Sequence, residues 1–417
     1  MSRLSRRYLL RNVALGAAAI GAGTIRRARA QQTGPIRIPY IVALSGPMAL
    51  IGAPIQMGAQ IIADIINKSG GLAGRPLELI FRDDKLKPDE TVAAAREMIG
   101  DGHNVIIAGL TGPTTNPLLP IMRETKTVLM TTAIGLPVTH ELYNRYVFRC
   151  QDDEYQRVRA LAKLAADRFS DIQTWGATLS DTATYRTSYA SFSKILTTYL
   201  ASMGKSAKFA DPILCTIGTP DYRTQIAQLG SQNVQGIFNI VSASDGVTFW
   251  KQAHAFGVTK GIKAVADQAI DVGAARALRL NLPPNLWSLK VWDSKLYPHN
   301  PISRALYDGY VARTKDTVPS DYIAYGNVPL FAIAAGIKAA NGSTDSDSLI
   351  AALEGLKFNT AKGEVFFRKE DHQAILDSCF VEWQAQEQDP GFRTVDSYKI
   401  AGSELVEPPS PGVPFIP

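Results

Sequence analysis

Short apolar runs alternate with longer amphipathic segments from residue 37 onward, and this alternation limits the fold more than any other feature of the chain. Residues 37–44 (RIPYIVAL) read as a strand. Ile55, Ala59, Ile62 and Ile66 then share one face at helical spacing, until Ser69-Gly70-Gly71 stops the helix. Leu77, Leu79 and Phe81 alternate with Glu78, Ile80 and Arg82 as a second strand. Residues 88–99 form a predicted helix with Pro88 in its first turn, where a missing N–H costs least. A buried strand at 104–108, a helix at 116–124 and a strand at 128–131 follow. Crossover helices between short apolar strands imply a parallel sheet covered on both faces.

A second series repeats the pattern. It predicts helices at 153–169, 185–203, 219–229 and 246–256, and strands at 174–179, 236–241 and 262–265. Residues 146–149 lead into it as a short strand. Beyond it lie a strand at 286–291, helices at 301–314, 321–340 and 346–356, and paired strands at 363–367 and 380–383. Five prolines among residues 408–417 make the tail an extended arm. The fold class is α/β, with two Rossmann-like doubly wound units.

The N-terminus carries a different message. Ser5-Arg6-Arg7-Tyr8-Leu9 precedes an Ala/Gly-rich apolar run at 12–25, three arginines and an Ala28-Arg29-Ala30 pattern. In that order these read as a twin-arginine export signal over residues 1–30, cleaved before Gln31. The run is too short for a bilayer, which takes roughly 20 residues. Residues 1–30 hold seven arginines, no lysine and no acid, so the whole-chain charge of +6 becomes −1 for the mature part. The basic character belongs to the signal, and no nucleic-acid partner is expected. A periplasmic location is.

Enzyme signatures fail on inspection. Gly204-Lys205-Ser206 lacks the earlier glycine of a phosphate loop, since position 199 is Tyr199. His140-Glu141 lacks a second histidine at Asn144. There is no G-x-S-x-G, and the five histidines show no metal spacing. Asp371-His372 reads as a turn. Cys150, Cys215 and Cys379 are too few and too dispersed for a disulfide framework. They read as small buried groups, with one bridged pair left open. The tryptophans read mainly as core. No cofactor, no metal and no catalysis are expected.

In open parallel sheets ligands bind beyond the carboxyl ends of the strands. Those ends offer Ser45-Gly46-Pro47, then 109–117 (GLTGPTTNP), then 131–135 (TTAIG) in the first unit. The second unit offers 180–185 (SDTATY), 242–245 (SASD) and 266–268 (ADQ). Hydroxyls and small side chains recur. Thr114 and Thr115 stand before a helix, where free N–H groups seat an anion or simply cap the helix.

Residues 41–47 (IVALSGP), Gly52, Gly58-Ala59, 64–74 (DIINKSGGLAG), Arg82-Asp83-Asp84 and 93–109 resemble the branched-chain amino-acid type of ABC-transporter binding protein. The resemblance runs to about Trp383. It implies two lobes joined by three crossovers: lobe 1 at 36–150 and 289–361, lobe 2 at 151–288 and 362–417. It also implies a hinged cleft that takes up a small-molecule solute and passes it to membrane permease and ATPase subunits, the binding protein acting as a monomer. On this resemblance the carboxylate-holding loop falls at 112–115, bringing Pro113, Thr114 and Thr115, with Ser45 and Ile51 in the first loop. The next loop brings Ala133, Ile134 and Gly135, and lobe 2 brings Tyr185, Ser242 and Asp267, the last as partner for an α-ammonium. Several positions depart from the family pattern. Its aromatic is Ile51 here, its threonine is Gly135, its second tyrosine is Ser242, and its lobe-one disulfide has no cysteines near Leu86 and Thr111. These departures open the ligand class to aromatic or aliphatic acids, amides and urea-like molecules beside amino acids. A sensory subunit on the same fold is the alternative function.

Overall fold

The computed structural model describes residues 34–46, 49–241 and 243–415 of the chain. Residues 1–30, which the sequence reads as an export signal, and the candidate site residue Ser242 lie outside the described residues.

The first unit opens with β1 (Ile36–Val42), α1 (Ala49–Lys68), β2 (Leu77–Asp83), α2 (Pro88–Gly100) and β3 (Val105–Ile107). A single-turn α3 (Gly112–Thr115), α4 (Leu118–Thr125), β4 (Val128–Thr131) and β5 (Val147–Arg149) complete it. The helix expected at 116–124 thus starts earlier and is broken at Asn116–Pro117. All pairings in this sheet are parallel, in the order β2-β1-β3-β4-β5. Two glycines set how α1 docks. A Cβ on Gly52 would lie 1.6 Å from the Ala43 carbonyl oxygen, and one on Gly58 would lie 1.8 Å from that of Ile323. Only glycine permits backbone so close.

The second unit comprises α5 (Glu154–Phe169), β6 (Thr174–Ser180), α6 (Ala183–Ser202), β7 (Lys208–Phe209), β8 (Ile213–Cys215), α7 (Arg223–Ser231), β9 (Gly236–Ile240), α8 (Ala243–Ala255), β10 (Ala264–Asp267), α9 (Val272–Leu278) and β11 (Leu286–Lys290). The helix expected from Thr219 begins at Arg223, because the Tyr222 amide turns aside to bond Gln252 Oε1 at 2.8 Å. Strands β7 and β8 both flank β6, followed by β9, β10 and β11, all parallel. The order of the first sheet is therefore repeated. Period-two alternation divides the core here: Phe238, Ala264 and Ala266 pack under α5 and α6, while Ile237, Val241 and Val265 face the other cluster.

From β11 the chain returns through α10 (Pro301–Thr314), α11 (Asn327–Ala339) and α12 (Ser346–Leu353) to a ribbon of β12 (Lys357–Thr360), β13 (Gly363–Phe367) and β14 (Ala374–Ile375). The helix expected over 321–340 is split near Gly326, where Ile323 sits against Gly58 of α1. Then β15 (Ser378–Ala385) and β16 (Phe392–Ile400) add to the second sheet antiparallel, beside β11, and α13 (Gly402–Leu405) precedes the tail. Val365, Phe367, Ala374 and Leu376 belong to the first core. Cys379 on β15 belongs to it as well, whereas Phe380 and Val381 join the other two clusters. All five tryptophans and all three cysteines are buried, and the cysteines are free. Asp371-His372 is a turn, as read, but a buried one in which His372 stacks on Phe148 at 4.0 Å.

Candidate functional site

Strand order 2-1-3-4-5 places the topological switch point between β1 and β3 in the first sheet and between β6 and β9 in the second. The loops leaving those strands hold most of the candidate residues.

In the first sheet the hydroxyls are engaged with one another. Ser45 donates to Asp83 Oδ2 at 2.5 Å, while the Leu44 and Ser45 amides donate to Oδ1 at 2.8 and 3.3 Å. Partial burial opposes ionisation of Asp83, but the Ser45 hydroxyl and the amides outweigh it and hold the carboxyl below its usual range. Ile51 is half-buried against the first core. Gly109 has φ +79, and a Cβ there would meet Thr115 Oγ1 at 2.3 Å. Thr131 Oγ1 donates to the Gly109 carbonyl at 2.7 Å, lies 3.3 Å from Thr115 Oγ1 and accepts from the Ala133 amide at 3.2 Å. Thr114 Oγ1 accepts from the Thr111 amide at 3.1 Å and caps its own turn. Thr114, Thr115 and Ala133 are buried, Ile134 and Gly135 half-buried, and Pro113 exposed. The Ile134 carbonyl accepts from Arg149 at 3.2 Å and from the Glu154 amide at 2.9 Å, tying this loop to the crossover.

In the second sheet a polar chain crosses three strands. Thr178 on β6 donates to Asn239 Oδ1 at 2.7 Å, and Asn239 on β9 donates to Asp267 Oδ1 at 2.5 Å. The register pairs these residues directly, Thr178 with Asn239 and Asn239 with Asp267. Asp267 also accepts from the Ala269 amide at 3.2 Å and, through Oδ2, from the Ile270 amide at 2.8 Å. Burial pushes its carboxyl up to about 6, against the pull of those donors. Tyr185 is half-buried at the first turn of α6, its amide held by the Thr182 N-cap at 3.2 Å.

The structure thus gathers Thr114, Thr115 and Ala133 with Thr131, and separately joins Asp267 to Asn239. Among the described residues no hydrogen bond links the two groups. The sequence reading missed a second polar set beside Asp267. Glu154 accepts from Ser188 at 2.6 Å, and the Gln268 side-chain amide lies against its carboxyl, which burial pushes upward. Arg157 donates twice to Asp152 at 3.0 Å, and the Tyr325 hydroxyl lies against Arg157. Tyr325 and Tyr322 belong to the first core, so Arg157 bridges the two units. The available signal was Glu154 and Arg157, three apart in the first turn of a helix that starts at a crossover. A cavity of about 270 Å³ lined by Lys290, Trp292, Val318 and Trp383 holds none of the candidate residues.

Residues 35–388 match the periplasmic binding protein family. The Leu/Ile/Val-binding protein BraC3 of Rhizobium johnstonii is 24% identical over 352 residues, covering 84% of this chain and 92% of that protein. Two solved structures share the fold. An ABC-type branched-chain amino acid transporter protein of Rhodopseudomonas palustris CGA009 superposes with TM-score 0.76 at 22% identity, covering 90% of this chain and 99% of its own. A solute-binding protein of an ABC transporter from Rhodopseudomonas palustris BisB5, in complex with 3,4-dihydroxybenzoic acid, gives TM-score 0.72 at 20% identity, with coverage of 88% and 98%. The chain belongs to the periplasmic binding protein family.

Proposed function

We propose that this chain captures a small organic acid, aromatic or aliphatic, in the cleft between its lobes and delivers it to the permease and ATPase subunits of an importer. The observation that carries the ligand class is the state of Asp267. An amino-acid zwitterion needs a cation seat as well as an anion seat, because a buried unpaired ammonium is expensive. Asp267 is the residue offered for that role, yet it is fully buried and accepts hydrogen bonds from Asn239, Ala269 and Ile270. An ammonium would have to reach a carboxyl that is 0% exposed and compete there with three donors already in place. A carboxylic acid without an amine asks for no such seat.

Thr114 is the proposed hydroxyl for the ligand's carboxylate. Its hydroxyl donates to the Thr111 carbonyl at 3.1 Å, and that bond is exchangeable for one to an anion at little net cost, since a neutral hydrogen bond contributes only about 1 kcal/mol. Ser45, Ile51, Pro113, Thr115, Ala133, Ile134, Gly135, Tyr185 and Ser242 complete the proposed lining. The complex of a structural neighbour with 3,4-dihydroxybenzoic acid supports the fold's capacity for such acids. Lobe 1 would comprise 36–150 and 289–361, lobe 2 151–288 and 362–417, with the ribbon up to residue 376 riding on lobe 1. The protein would work as a monomer, without cofactor and without catalysis, after twin-arginine export to the periplasm. Mass spectrometry of the small molecule released from purified protein tests the reading. An organic acid lacking an amine is expected; a stoichiometric branched-chain amino acid overturns it.

A further inference from the structure

Where the chain crosses between its two units it buries more ionisable groups than solute capture requires. His140 and Asp153 are 0% exposed and Glu407, in the C-terminal arm, 2%. One ligand atom from each lies within 4.8 Å of the other two. His140 Nε2, Asp153 Oδ2 and both Glu407 carboxylate oxygens have no hydrogen-bond partner. His140 Nε2 and Glu407 Oε1 are 3.2 Å apart, but out of hydrogen-bond alignment. Leaving such atoms buried and unpaired is costly, and more so when they are charged.

The nearby cations do not relieve them. Arg149 is engaged by the Ile134 and Leu136 carbonyls and the Thr139 hydroxyl, and stays 3.9 Å from Asp153 Oδ2. Arg368 grips Asp371 with two nitrogens and the Glu407 main-chain carbonyl at 2.5 Å, and stays 3.9 Å from Glu407 Oε1. His140 Nδ1 lies 2.7 Å from Ser410 Oγ. A proton donated there leaves the Nε2 lone pair facing the two carboxylates, the tautomer that a metal-binding histidine adopts. The 3.2 Å separation of Nε2 and Oε1 matches the edge, roughly 3.3 Å, of a tetrahedron with arms of about 2.0 Å.

We propose that His140 Nε2, Asp153 Oδ2 and the Glu407 carboxylate hold a divalent transition-metal ion of the zinc class, fastening the C-terminal arm to the crossover. Asp153 serves two tasks at once: Oδ1 caps α5 by accepting from the Gln156 amide at 2.8 Å, which leaves Oδ2 for the metal. The arm is already laid along the site. The Gly412 amide donates to the His140 carbonyl at 2.7 Å, and Phe415 stacks on His140 at 4.8 Å and meets Tyr155 edge-on at 4.9 Å. The competing occupant is a proton, on His140 or between the Asp153 and Glu407 carboxyls, which would pair these groups without a metal.

The full chain, stripped with EDTA and desalted, is titrated with zinc and with cobalt(II), followed by elemental analysis after gel filtration and by thermal melting. One metal per chain, visible cobalt d–d bands and a melting point raised by zinc are expected. His140→Gln and Glu407→Gln should each weaken zinc at least tenfold. Folded wild-type protein that retains less than roughly a tenth of an equivalent, with a melting point zinc does not move, overturns the site. A full equivalent retained in both variants also overturns it, because the ion then lies elsewhere. If neither variant folds, the wild-type titration decides.

Discussion

The two parallel sheets share one strand order yet end in different chemistry. At the first, hydroxyls of Thr111, Thr114, Thr115 and Thr131 bond to one another and to the chain. At the second, Asp267 and Glu154 bury carboxyls beside Asn239, Ser188 and Gln268. A hydroxyl turns about one bond and exchanges partners at small cost, whereas a buried carboxyl held by three donors is fixed. On the proposed function, the first end meets a ligand's anion and the second forms a rigid wall.

The largest predicted effect lies on the charged side. Arg157→Ala strands Asp152, its buried partner at 3.0 Å, and should cost about 3–5 kcal/mol in urea unfolding. A cost no larger than that of removing a hydroxyl would erase the contrast between the two ends. Next comes the titration of Asp267. Its folded value of about 6 stands above the ordinary 3.8, so the folded state holds this proton more tightly. Stability from this group is therefore full below pH 4 and is lost as pH rises through 6. The loss is about 3 kcal/mol by pH 7, measured against Asp267→Asn as a non-titrating reference. A carbon-13 titration of the Asp267 carboxyl with its midpoint near 4 would contradict this.

On the hydroxyl side, Gly109→Ala forces a Cβ to within 2.3 Å of Thr115 Oγ1 at φ +79 and should cost about 1–3 kcal/mol. An unchanged denaturation midpoint would mean that the loop yields freely. The smallest stability effect is expected for Thr114→Val, about 1 kcal/mol from the lost cap, together with more than tenfold weaker solute binding. Normal affinity in that variant would remove Thr114 from the anion seat.

Much of the fold was legible in the sequence, because strand and helix periods are local. Ile55, Ile62 and Ile66 announced the buried face of α1, and the glycines at 52 and 58 stand where backbones touch. The ends of the strands, and with them the candidate loops, followed from the same pattern. What stayed hidden depends on register and on distant partners. That Asp267 already accepts from Asn239 requires β9 to lie beside β10 with Asn239 directly opposite. The ribbon at 363–376 gives no local hint that Val365 and Phe367 serve the first core. His140 meets Ser410 across 270 residues, and no spacing rule reaches so far.

On the proposed function, the wall formed around Asp267 is closed to an ammonium. Calorimetry with two matched pairs that differ only in that group, leucine against 4-methylpentanoate and phenylglycine against phenylacetate, tests it most directly. The acid should bind at least tenfold more tightly than its amino counterpart, a difference of about 1.4 kcal/mol or more. An amino acid that binds tenfold more tightly than its acid in either pair would contradict it.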